Sequence, residues 1–65
     1  MKLKNMEGQH VTLFFQSGMV STSGILIESG EYGIILEFKD TYEFFSYQYI
    51  DRIMMKKTTI SHAMK

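Results

Sequence analysis

Glycine is the punctuation of this chain and its strongest constraint. Gly8, Gly18, Gly24, Gly30 and Gly33 cut it into short runs. Those runs are rich in Val, Ile, Phe, Tyr and Thr, the strand formers. His10 to Gln16 alternates Val11, Leu13 and Phe15 with Thr12, Phe14 and Gln16, the period of a strand. Ser17-Gly18 reads as a turn. A second run from Met19 continues through Ile25, Leu26 and Ile27, with Gly24 inside it as an expected sharp bend or bulge. Ser29-Gly30-Glu31 is the next turn. Tyr32 to Phe38 is apolar on both faces, which predicts cover on both. After Lys39-Asp40-Thr41 comes Tyr42 to Tyr47, with Tyr42 and Phe44 on one face and Phe45 and Tyr47 on the other. In Tyr49 to Met54, Ile50 and Ile53 are three apart, the spacing of a tight turn leading into a last strand.

Five short strands with regular turn signals predict an all-β fold, a small five-stranded, strongly bent antiparallel barrel. At most one helical turn precedes it, with Leu3 and Met6 on its apolar side. The expected single domain is the whole chain, 1–65, with a core over about 8–54 and a flexible tail over 55–65.

Size makes such a fold marginal. A chain of 65 residues buries only about 60% of its unfolded surface. Small domains compensate with disulfides, metals or oligomerisation. The chain has no Cys, which removes disulfides and thiolate zinc sites. His10 and His62 stand near opposite ends and make a poor metal site, so no metal or other cofactor is expected. A closed barrel has one inside, so outward Phe and Tyr side chains call for a second surface, that of another subunit.

Charge narrows the function classes. Seven basic and seven acidic residues balance to a net charge of zero. The distribution is uneven. Glu28, Glu31, Glu37, Asp40, Glu43 and Asp51 face one base, Lys39, between residues 28 and 51, while Lys2, Lys4, Arg52, Lys56, Lys57 and Lys65 lie towards the ends. Neutral balance argues against strong non-specific nucleic-acid binding, which runs on phosphate neutralisation. No apolar run approaches the roughly 18 to 20 residues of a membrane span. Met1-Lys2-Leu3-Lys4 is followed by Asn5, Glu7 and Gly8 and does not read as a signal peptide. A cytoplasmic protein without membrane association is expected.

Enzymatic signatures are missing. Ser61-His62 is a dipeptide in the tail, without an orienting partner. Glu28 and Glu31 sit on an exposed turn that offers no desolvated cleft. Gly30 and Gly33 lack the spacing and following helix of a phosphate loop. No catalysis and no small-molecule substrate are expected.

Particular segments resemble the Sm-like (LSm) family, in the pattern of its bacterial Hfq members. Val11-Thr12-Leu13-Phe14-Phe15-Gln16-Ser17-Gly18 is similar to their first-to-second strand segment. Gly24 through Leu36 resembles the rest of the first Sm motif, and Phe45-Ser46-Tyr47-Gln48-Tyr49-Ile50-Asp51-Arg52-Ile53 the second. The chain departs from the pattern in carrying five residues between Gly18 and Gly24, Gly30 at the usual Asp turn position, and Tyr47-Gln48-Tyr49 in place of Tyr-Lys-His.

The resemblance implies a homo-oligomeric ring of about five to eight subunits that binds single-stranded RNA. It implies base stacking by Tyr32, with Glu31 as polar neighbour and Gln48 and Tyr49 beside it. On the opposite face it implies stacking by Phe14, with Gly18 at the turn. Lys2, Lys4, Lys56 and Lys57 are the expected phosphate contacts. The expected subunit interface joins the fourth strand to a neighbour's last strand through Tyr42, Phe44, Phe45, Tyr47, Ile50 and Ile53. The alternative is a protein-interaction or scaffolding barrel that binds no RNA, favoured by Glu28, Glu31, Glu37 and Glu43.

Overall fold

A computed structural model describes residues 3–56, with side chains for 5–56. The strands are β1 (His10–Phe15), β2 (Val20–Ser29), β3 (Gly33–Glu37), β4 (Tyr42–Ser46) and β5 (Arg52–Met55). They form one antiparallel sheet in the order β4-β3-β2-β1-β5. Single 3₁₀ turns over Leu3–Met6 and Tyr47–Tyr49 precede β1 and join β4 to β5. The all-β expectation holds as a five-stranded antiparallel sheet. Among the described residues the sheet is not closed into a barrel: β4 and β5 are its two edges.

The sheet nevertheless curls. In a flat sheet β1 and β4 lie three strand spacings apart, about 14 Å. Yet the Phe15 and Phe45 rings stack with centroids 5.7 Å apart, and Phe38 meets Phe45 edge-on at 6.3 Å. These aromatics cover Val11, Leu13, Leu26, Ile34 and Leu36, all at most 2% exposed. Strand alternation explains the set. Val11 and Leu13 point in from β1, and Ile34 and Leu36 from β3, while Thr12 faces out and shares a 2.8 Å hydrogen bond with Ser23. On β3 the cover is uneven: Ile35, between the two buried residues, is only half-buried.

Two details differ from expectation. The bulge in β2 is not at Gly24, which pairs in register with Val11. It falls between Leu26 and Glu28, which face Leu36 and Ile35, so Ile27 is the extra residue and is exposed. Three apolar residues in succession cannot all point inward from a regular strand, and the bulge resolves the conflict. Gly24 answers a different need, close approach: a Cβ there would stand 3.0 Å from the Glu37 carbonyl oxygen and 3.2 Å from the Phe38 ring.

The core also begins earlier than residue 8. Met6 is 4% exposed and belongs to the buried cluster. Its turn is fastened to β2 by the Gly8 N–H donating to the Leu26 carbonyl (2.6 Å) and the Ser29 N–H donating to Glu7 Oε2 (3.1 Å). At the other end β5 runs through Met55. The remainder of the expected tail, 57–65, lies outside the described residues.

Candidate nucleic-acid interface

The first group of candidate residues stands on two turns strapped together. The Gly30 N–H donates to the Gly33 carbonyl at 2.9 Å and closes the turn between β2 and β3. The Tyr47 N–H donates to the Tyr32 carbonyl at 3.0 Å, and the Tyr47 hydroxyl donates to the Gly30 carbonyl at 2.9 Å. The Ile50 N–H donates to the Tyr47 carbonyl and tightens the second turn. Glu31 and Tyr32 are therefore held beside the turn that carries Gln48 and Tyr49. Tyr32 is 75% and Tyr49 67% exposed, and Glu31 and Gln48 are exposed as well. Two open aromatic faces and a neutral amide can stack and hydrogen-bond bases. Their immediate charge is acidic, with Glu28 and Glu31 both exposed.

The second group gathers at the turn between β1 and β2. Gln16, Ser17 and Gly18 all have positive φ, at 51°, 58° and 86°. Only Gly18 adopts that region freely, so Gln16 and Ser17 each carry a steric cost of about 1–2 kcal/mol. Asp51 holds the turn: its carboxylate accepts the Ser17 N–H, and its own N–H donates to the Phe14 carbonyl at 2.8 Å. A groove is lined by Phe14, Ser17, Gly18, Asp51 and Arg52. Phe14 is half-buried, and the Arg52 guanidinium lies 4.1 Å from its ring centroid.

Sequence reasoning placed Phe14 and Gly18 together but missed Arg52 and Asp51 as their neighbours. The Phe14–Arg52 contact is a cross-strand pair between β1 and β5. Nothing in the alternation of either strand announces which residues will be paired.

The two groups are separated along β2, which starts beside Phe15 and ends at the Gly30 turn. Lys56 joins neither. It is exposed and borders a groove with His10, Thr12, Ser23 and Met54. Lys2, Lys57 and the Lys4 side chain lie outside the described residues.

The expected interface set divides likewise. Tyr42 and Phe44 are 67% and 60% exposed on the edge strand β4. Phe45, Tyr47, Ile50 and Ile53 are instead half-buried against the chain's own core. Strand period puts Phe45 on the inner face, and the Ile50 to Ile53 spacing serves the turn into β5.

Among the described residues no group of His, Cys, Asp and Glu could hold a metal, and no helix is long and apolar enough to cross a membrane. Comparison with family models, curated proteins and solved structures yields no match to this chain.

Proposed function

We propose that the chain forms an Sm-like, Hfq-like homo-oligomeric ring that binds single-stranded RNA and is not an enzyme. The observation that carries this reading is the placement of the two free edges. β4 and β5 are consecutive in sequence yet lie at opposite edges of a curled sheet. Among the described residues each has one neighbouring strand only, and open edges are templates for strand addition. In this reading the curled sheet is a strongly bent barrel left open between β4 and β5. The β4 edge of one copy pairs with the β5 edge of the next, a head-to-tail contact that closes into a ring when its rotation permits. Exposed Tyr42 and Phe44 on β4 and Met54 on β5 come to lie at or near that contact.

RNA binding then uses Tyr32 and Tyr49 as stacking faces, with Gln48 and Glu31 reading base edges. Phe14 and Gly18 serve a second strand segment. Lys2, Lys4, Lys56 and Lys57 meet phosphates. A cytoplasmic location goes with this reading.

One observation favours a second reading, a protein-interaction module without RNA. Exposed Glu28, Glu31 and Glu43 flank the exposed aromatics Tyr32, Tyr42 and Phe44, and carboxylates repel phosphates.

One experiment separates them. Native mass spectrometry is expected to give a single closed species of about five to eight copies; a monomer or dimer removes the ring. Fluorescence anisotropy with uridine-rich and adenine-rich 12-mers at two salt concentrations then tests RNA. Tyr32→Ala is expected to weaken uridine-rich binding about tenfold, since one stacked base contributes roughly 1–3 kcal/mol, while the native mass is unchanged. Equal affinity for parent and variant removes Tyr32 from the site. An intact ring that binds neither RNA leaves the protein-interaction reading.

A further inference from the structure

The outer face of the sheet carries a groove that spans four strands. Two hollows adjoin there and share His10 and Ser23. One runs from Lys56 and Met54 to His10, the other from His10 and Ile25 to Glu37 and Lys39. Register explains why these residues stand together. Met54 pairs with Thr12 and Thr12 with Ser23, while His10 pairs with Ile25 and Ile25 with Glu37. Cross-strand partners lie on the same side of a sheet, so the groove crosses β5, β1, β2 and β3.

Its charge differs from that of the chain around it. Lys56, His10 and Lys39 stand along it, and Glu37 is the one carboxylate among its lining residues. Lys39 is the only base between residues 28 and 51, a stretch with six acids. Folding brings that base to the same groove as Lys56, and both lysines are exposed. Between them the floor is aliphatic and thioether, with Ile25 half-buried and Met54 52% exposed. The one aromatic at its border, Phe38, packs against Phe45 and the core. A nucleic-acid base stacks on an open π-face, and this floor presents none.

We infer that this groove docks an extended segment of a partner protein, one with two carboxylates and aliphatic side chains between them. Lys56 and Lys39 follow β5 and β3, which are three strand spacings apart along the sheet, about 14 Å. An extended chain covers that span in about four residues at roughly 3.3 Å each. Acids at i and i+4 therefore meet the two lysines. The side chain at i+2 points to the same side and lies over Ile25 and Met54. Methionine is flexible enough to fit varied aliphatic partners. Glu37, half-buried beside Ile25, disfavours a further acid in the middle. The inference stands apart from the RNA reading, which uses other residues of the described chain apart from Lys56.

The test is an anisotropy titration of the labelled peptide Gly-Ser-Glu-Val-Leu-Val-Glu-Ser-Gly against the full chain. Control peptides carry Gln or Lys at both Glu positions. The Glu peptide is expected to bind about tenfold more tightly than the Gln peptide, and the Lys peptide least of all. Lys39→Gln and Lys56→Gln are each expected to weaken the Glu peptide about threefold, the size of one exposed ion pair, and to leave the Gln peptide unchanged. Met54→Ser is expected to weaken the Glu and Gln peptides alike. Equal affinity for the Glu and Gln peptides, or no binding of the Glu peptide, overturns the inference. If uridine-rich or adenine-rich RNA displaces the Glu peptide and itself binds more weakly to both lysine variants, the groove is a phosphate track and the inference fails. If the native mass drops when the Glu peptide is added, another copy of the chain occupies the groove and the inference fails. RNA that binds and leaves the Glu peptide in place upholds both readings.

Discussion

Gly33→Ala is expected to unfold the chain or lower its melting temperature by about 15 °C or more. Gly33 is buried in β3, opposite Ser46 of β4. A methyl group there would land on the Phe45 carbonyl oxygen and within 2.6 Å of Phe44 Cζ. The Phe44 ring is 60% exposed and can swing away. The Phe45 carbonyl cannot, because it is backbone of the adjoining strand. Shifting β4 would pull Phe45 off Phe15 and Phe38 and loosen the two Tyr47 hydrogen bonds to the β2–β3 turn. Overpacking costs about 1–3 kcal/mol where side chains can adjust and more where they cannot. A value of about 3 kcal/mol is a large share of the stability of a 65-residue domain, roughly 3–10 kcal/mol. Each kcal/mol moves the melting point of a small domain by about 4–8 °C. Gly30→Ala is the control. Its nearest neighbour would be the Gly33 carbonyl oxygen at 3.8 Å, with no positive φ, so the change is expected to stay within about 0.5 kcal/mol. Circular dichroism melts of the two variants decide the matter. A Gly33→Ala protein melting within a few degrees of the parent means that β3 and β4 do not approach this closely.

Leu13→Ala is the second large effect, expected at about 3 kcal/mol. Leu13 is fully buried in the middle of β1, where it pairs with Thr22 of β2 and Ile53 of β5. Truncation removes burial energy and leaves a cavity, together costing about 2–5 kcal/mol. Relaxation into the gap is limited because β1 is held on both sides. Urea unfolding is expected to show a lower midpoint with an unchanged slope, the mark of lost stability without a change in exposed surface. A loss under about 1 kcal/mol would mean that the core is loosely packed around β1. In the proposed ring, assembly would add stability by mass action, so parent and variant are compared at one protein concentration.

Much of the fold was legible in the residues. Alternation in His10 to Phe15 put Val11 and Leu13 on one face of a strand, and the structure buries both. Tyr42 and Phe44 were separated from Phe45 and Tyr47 by the same period, and the first pair is exposed while the second packs on the core. Gly24 was expected to mark a bend or a bulge, and the bulge falls instead at Ile27, because a glycine inside a strand also serves close approach. Only the position of Glu37 and Phe38 relative to Gly24 distinguishes these roles. Met6 was left outside the core because nothing local shows that a turn of four residues will be pinned to β2.

The candidate site was legible one residue at a time but not as an arrangement. Tyr32 and Tyr49 are 17 positions apart, and their turns meet only because Tyr47 bonds to both Gly30 and Tyr32. Arg52 read as one more surface base until β5 was seen paired with β1. Local periodicity by itself determined the strands, the division of their residues between two faces and most of their turns, since each depends on neighbours a few residues away. Tertiary structure alone decided the sheet order, which strands stand at its edges among the described residues, and the Phe14–Arg52 pair. These are choices of partner between strands of similar pattern, and they are settled by how a curled sheet can cover a core this small.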